Sequence, residues 1–273
     1  MSVQSTVRLN NGVEIPRIGL GVYQAAHGEE TQHAVRAALD AGYRHIDTAF
    51  IYGNEADVGR AIRDSDVPRS ELFVTTKLWN YDQGYDQALS AFDDSLAALG
   101  FEYLDLYLIH WPVAETRLDS WRALERLAEE GRVRAVGVSN YMVHHLEELL
   151  AVAEVVPAVN QIEVSPFLQQ RGVRSFCDEH GITVEAYSPL TKGRRLEDPA
   201  IVAAAHRVGK SPAQVLLRWS VQHDMVVLPK SVRPERIVEN AEIFDFVLPD
   251  EEMARLDALE EGLVTGWDPR DHP

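Results

Sequence analysis

Eight short apolar, β-prone runs recur along the chain, at 18–22, 44–46, 72–76, 104–109, 135–138, 158–161, 182–186 and 225–228. A longer stretch of helical pattern follows each of them, as at 30–41, 85–99, 119–130 and 141–151. Such alternation commits the strands to run parallel, because each crossover helix returns the chain to the starting end of the sheet in the right-handed sense. Eight consecutive units close most simply into a (β/α)8 barrel, and 273 residues is an ordinary length for one such domain. The rival doubly wound open sheet predicts a glycine-rich phosphate turn after its first strand. Gly19-Leu20-Gly21 supplies two glycines, but Gln24 stands where the third belongs. Ahead of the first run, Asn11-Gly12 between two β-prone stretches predicts a short N-terminal β-hairpin. No linker rich in Pro, Gly or Ser interrupts the pattern, so residues 1–273 are expected to form one domain.

Charge narrows the function. Lys plus Arg number 26 against 43 Asp plus Glu, a net charge of -17, which excludes a general nucleic-acid binder and disfavours docking on anionic lipid. A single cysteine, Cys177, cannot form an intrachain disulfide and fits the buried face of a helix. Neither a signal peptide at Met1-Ser2-Val3-Gln4 nor a run of about 18 apolar residues is present, so a cytoplasmic location with no membrane partner is expected. Of the basic residues only four are Lys, at 77, 192, 210 and 230, which makes their positions worth following.

In a β/α barrel, chemistry gathers at the C-terminal ends of the strands. Those positions carry Asp47, Lys77, His110, Asn140, Gln161, Tyr187-Ser188 and Lys230-Ser231, with Tyr52 five residues beyond Asp47 in the same loop. Free tyrosine titrates near about 10 and donates protons poorly at neutral pH. A lysine ammonium beside it, held by a carboxylate, is expected to lower that value and make Tyr52 a general acid for an alkoxide forming on a reduced carbonyl. His110 is placed to hydrogen-bond the same oxygen.

Three longer stretches make the pattern specific. The first is Gly42-Tyr43-Arg44-His45-Ile46-Asp47-Thr48-Ala49, with Tyr52-Gly53-Asn54-Glu55 and Val58-Gly59 following. The second is Arg134-Ala135-Val136-Gly137-Val138-Ser139-Asn140-Tyr141, and the third Leu228-Pro229-Lys230-Ser231 with Arg236, Glu239 and Asn240. In this order, with Lys77 and His110 between them, the chain resembles the aldo-keto reductases along nearly all its length. Its pattern is nearest the microbial branch that includes 2,5-diketo-gluconate and glyoxal reductases.

That resemblance implies a catalytic set of Asp47, Tyr52, Lys77 and His110, with hydride drawn from a bound nicotinamide cofactor and no metal. It implies that Ser139, Asn140 and Gln161 hold the carboxamide, that Tyr187 stacks on the nicotinamide ring, and that Ser188 and Leu190 line the pyrophosphate. Gly21 and Val22 fall on the same cofactor surface. Lys230, Ser231, Val232, Arg233 and Arg236 are expected on the 2′-phosphate side, with Glu239 and Asn240 near the adenosine, which favours NADPH over NADH. Tyr23, Phe50, Trp79, Trp111 and Trp267 are expected to line an apolar pocket for a small carbonyl substrate.

Tyr23 stands where many relatives have tryptophan, the loop after the fourth strand is short, and the tail at 262–273 is short. A monomer is the family's usual form. Two other functions on such a chain are a nicotinamide-sensing regulatory subunit and a metal-dependent sugar isomerase. The second needs clustered carboxylates and histidines, whereas the strand ends offer only Asp47 and His110. His33 and the His144-His145 pair lie on helical patterns without carboxylates at ligand spacing and are expected at the surface.

Overall fold

A computed structural model describes residues 2–271; Met1 and the last two positions of the 262–273 tail lie outside the described residues. β1 (Thr6–Arg8) and β2 (Glu14–Pro16) pair antiparallel, and Gly12 takes a φ of 86° in the turn between them, a conformation glycine adopts without steric cost. The hairpin does not extend the barrel but plugs its lower end. Leu9 and Ile15 pack there against Phe73, Leu106, Leu108, Val159 and Val226, while the Asn10 and Asn11 side chains bond the carbonyls of Pro157 and Arg134, both at 3.0 Å.

Eight parallel strands follow: β3 (Leu20–Gly21), β4 (His45–Asp47), β5 (Phe73–Leu78), β6 (Leu104–Ile109), β7 (Val133–Ser139), β8 (Val159–Glu163), β9 (Thr183–Tyr187) and β10 (Val226–Leu228). They pair in sequence order, β3 next to β4 through to β9 next to β10. Isolated parallel bridges, Ile18 with Val227 and Gly21 with Lys230, bring β3 back to β10 and close the barrel. The predicted barrel is therefore the observed one, although the first strand is shorter than the expected 18–22. Gly19 breaks it: a Cβ there would stand 2.7 Å from both the His45 ring and Leu228, so only glycine lets this segment lie so close.

Ten helices surround the strands among the described residues: α1 (Glu29–Asp40), α2 (Glu55–Arg63), α3 (Tyr85–Leu99), α4 (Arg117–Glu129), α5 (Val143–Leu150), α6 (Arg171–Glu179), α7 (Pro199–Val208), α8 (Pro212–Gln222), α9 (Pro234–Ala241) and α10 (Asp250–Asp257). Two of them, α7 and α8, separate β9 from β10, where one was expected. At the start of α8, Ser211 and Gln214 cap each other reciprocally, with Pro212 in the first turn. The helix expected over 141–151 begins at Val143 because Asn140 is left-handed (φ 64°) and the Met142 N–H donates to His145 Nδ1 at 3.0 Å. His145 is thereby buried, not at the surface as expected, while His33 and His144 are exposed. No helix among the described residues is long and apolar enough to cross a membrane.

Candidate active site

With the hairpin sealing one end, the open face of the barrel is the one where the strands terminate C-terminally. A cavity of about 1070 Å³ lies there, large enough for a dinucleotide and a small substrate together. An ion pair lies at its floor. Lys77, on β5 and fully buried, donates to both carboxylate oxygens of Asp47 at 2.8 Å and to the Thr48 carbonyl at 2.8 Å. Parallel register sets this contact, since β4 and β5 pair His45 with Phe73 and Asp47 with Thr75, so the last residue of one strand meets a residue two further along its neighbour.

Tyr52 follows β4 in a short 3₁₀ turn, Phe50–Tyr52, and its ring lies 5.1 Å from Lys77 Nζ. His110, directly after β6, sets its ring edge-on to Tyr52 with centroids 5.8 Å apart. Tyr23 covers the Tyr52 ring from the other side at 5.0 Å. The sequence-predicted quartet is thus gathered in one place, with Asp47, Tyr52 and His110 lining the cavity and Lys77 beneath its floor.

The electrostatics correct one expectation. Tyr52 is pushed well above the usual phenol range, not below it: burial acts first, followed by the charges of Asp47, Tyr23 and Glu185. Exclusion of water and the Asp47 charge outweigh the Lys77 ammonium 5.1 Å from the ring. His110 is held well below the ordinary imidazole range, by burial and then by the Lys77 charge, and so is neutral at physiological pH.

Farther round the rim, hydrogen bonds link the next four predicted positions. Tyr187 Oη donates to Asn140 Oδ1 at 2.8 Å, Asn140 Nδ2 to the His110 carbonyl at 3.0 Å, and Ser139 Oγ to the Gln161 carbonyl at 2.8 Å. The cavity then runs past Ser188 and Leu190 to Lys230, Ser231, Arg236, Glu239 and Asn240, with Gly21 beside Lys230. Arg236 and Lys230 form no ion pair among the described residues, and Lys230 reaches only the Gln24 carbonyl at 3.3 Å. In a chain of net charge -17, unpaired cations lining one end of a cavity suit a phosphorylated ligand, and the amide and hydroxyl groups toward the other end suit a carboxamide.

Besides Lys77, four predicted residues lie off the lining. Val22 is buried behind it, its carbonyl accepting from Asn54 Nδ2 at 3.0 Å. Val232 packs on the core, Arg233 is exposed at the N-cap of α9, and Phe50 faces solvent beside the mouth.

Trp79, Trp111 and Trp267 do line the cavity near His110. Trp267 lies 5.6 Å from Trp111 and 6.5 Å from Trp79 between ring centroids. What holds Trp267 was not apparent in the sequence. Glu163, at the end of β8 and buried, accepts from the Thr265 amide at 3.0 Å, from the Thr265 hydroxyl and from the Gly266 amide at 3.3 Å. Lys192, a lysine without a predicted role, donates to the Thr265 carbonyl at 2.8 Å. Glu163→Ala should therefore free the 265–267 wall. We expect the Thr265 and Gly266 amides of that variant to exchange with solvent roughly tenfold faster or more, about the cost of one charge-assisted bond network. Unchanged exchange would show that Glu163 does not set this wall.

Comparison with known proteins agrees with this geometry. Residues 17–261 match the model of the aldo/keto reductase family. A glyoxal reductase of Bacillus subtilis is 51% identical over 98% of this chain and 97% of its own. An aldo/keto reductase structure from Brucella melitensis superposes with a TM-score of 0.91 at 49% identity, covering 94% of this chain and 99% of that one. A Bombyx mori aldo-keto reductase solved in complex with NADP superposes with a TM-score of 0.93 at 35% identity, over 100% and 99% of the two chains. With the family match running from ahead of the first barrel strand to beyond α10, the protein is an oxidoreductase belonging to the aldo/keto reductase family.

Proposed function

We propose that this protein reduces small aldehydes and ketones, among them methylglyoxal, diketo sugars and aromatic aldehydes, to alcohols with NADPH. The observation that carries the reading is the convergence of Tyr52, His110 and the Lys77–Asp47 pair at one end of a cavity whose other end presents Lys230 and Arg236. The NADP complex of the Bombyx mori relative and the glyoxal reductase relative support cofactor and substrate class.

Carbonyl reduction needs a hydride at carbon and a proton at oxygen, and bound NADPH supplies the hydride. Tyr52 supplies the proton. Because burial and Asp47 keep its phenol un-ionised, the proton is in place whenever a carbonyl oxygen arrives. An alkoxide is a stronger base than a phenolate, so transfer stays downhill even from a phenol of raised pKa. The tyrosinate left behind faces Lys77, whose ammonium cannot drift away while Asp47 and the Thr48 carbonyl hold it. Neutral His110 orients the same oxygen by donating an N–H. Trp79 and the buried Trp111, with the more exposed Trp267 and Tyr23, wall the space around it.

Arg236 and Lys230 are assigned to the 2′-phosphate. Arg236→Ala should weaken NADPH binding about 10- to 100-fold, the value of a charge-assisted contact, while leaving NADH within about twofold. Equilibrium fluorescence titration with both cofactors checks this, and equal losses would remove Arg236 from the phosphate site. The activity itself is tested by loss of NADPH absorbance with a panel of carbonyl compounds. Tight NADPH binding without turnover on any of them would overturn the reductase reading.

A further inference from the structure

Beneath the Asp47–Lys77 pair the barrel interior holds a buried carboxyl that the reaction above does not use. Glu185, on β9, is fully buried; its register neighbours are Gln161 on β8 and the apolar Val226 on β10. Its Oε2 accepts from Gln161 Nε2 at 2.6 Å, and the same nitrogen donates to Asp47 Oδ2 at 2.9 Å. A primary amide nitrogen carries two hydrogens, so both are committed. Gln161 Oε1 accepts no hydrogen bond among the described residues, and Gln161 lines the cavity.

We propose that Glu185 is a positioning residue for the nicotinamide end of the cofactor, fixing Gln161 so that its carbonyl oxygen, an acceptor, faces the cavity. The inference rests on the NADP(H) reading above. A fixed acceptor selects an N–H donor such as a carboxamide. Without Glu185 one Gln161 N–H is left buried and unpaired; the amide then turns in search of a partner, and the cavity meets acceptor and donor in mixture.

The charge on this layer is a second consequence. Burial, with the Asp47 charge second, pushes Glu185 up to about 8, against the pull of Gln161 and Lys77. The other groups facing it are His45 and Asp47 on β4, Lys77 on β5, and Tyr52 beyond β4. His45 Nε2 lies 3.7 Å from Glu185 Oε1, and burial and Lys77 hold that ring neutral, at about 3. Tyr52 stays protonated. At pH 7 Glu185 therefore keeps its proton, and one ammonium faces one carboxylate. Above about 8 it ionises and adds an uncompensated negative charge under the ring site. That charge favours the oxidised nicotinamide, which is positive, over the reduced one, which is neutral.

The test is fluorescence titration of NADP+ and NADPH across this pH range with the wild type, Glu185→Gln and Glu185→Leu. Taking the ratio of the two dissociation constants cancels titration of the 2′-phosphate, which both forms share. We expect Glu185→Leu to lose roughly tenfold in NADPH affinity at pH 7, and Glu185→Gln, which keeps an acceptor, to stay within about threefold. In the wild type NADP+ should tighten relative to NADPH by about threefold or more as pH rises through 8, and Glu185→Gln should abolish that trend. A Leu variant with wild-type affinity, or a Gln variant that keeps the pH trend, overturns the proposal. Should the Leu variant fail to fold by far-UV circular dichroism, the Gln profile decides alone. A wild type that binds neither cofactor would instead refute the NADP(H) reading.

Discussion

Tyr52→Phe is expected to reduce kcat for carbonyl reduction by about 10²–10⁴-fold, the usual contribution of a positioned general acid, while NADPH affinity stays within about threefold. The change removes one oxygen and no ring. Tyr23 still packs on the phenyl group and His110 still meets its edge, so the cavity keeps its shape. The measurement is steady-state turnover alongside a cofactor titration on the same preparation. Because Tyr52 is raised above the ordinary phenol range, the wild-type rate should show no fall on the alkaline side below pH 9 from loss of this proton. A Phe variant with more than a tenth of wild-type kcat would transfer the proton-donor role to another group.

Lys77→Met carries the largest expected stability effect. Asp47 is only 4% exposed, and the substitution leaves it with the single Gln161 N–H in place of the ammonium. Removing one partner of a buried ion pair costs about 3–5 kcal/mol, because the other charge is left uncompensated. The denaturation midpoint should fall accordingly, and pairing Lys77→Met with Asp47→Asn should recover most of the loss, since the remaining charge is then gone. Turnover should not return with it. If the single variant unfolds within about 1 kcal/mol of wild type, the pair does not balance the charge of the interior.

What could be read in advance follows from how far each feature depends on distant sequence. Asp47, Lys77 and His110 each end or directly follow a β-rich run, and a barrel sends every such end to one face. Their assembly was therefore legible. Glu163 and Glu185 were within reach too: each lies two residues from a predicted site residue, Gln161 and Tyr187, and strand periodicity puts both on the same face. The grip of Glu163 and Lys192 on Thr265 was not legible, because nothing local ties positions 163 and 192 to 265. The direction of the Tyr52 shift escaped for another reason. Sequence names the neighbours of a titrating group but not how deeply water is excluded from it, and burial outweighed Lys77. Of the four lysines, Lys77, Lys192 and Lys230 stand at the cavity, whereas Lys210 pairs with Asp245 at 2.6 Å.

The closure of the barrel has a dynamic meaning. β5 and β6 share a continuous ladder, but β3 is two residues long and meets β10 only through the isolated bridges at Ile18 and Gly21. Local opening favours such a joint, so the Gly19, Gly21 and Val227 amides, which bond across it, should exchange with solvent before those of β6. Gly21 and Lys230 also line the cavity, so a ligand lying across them spans the joint. Any molecule that binds only the closed arrangement then acts as the missing rungs of the ladder, and its concentration sets how often the barrel breathes.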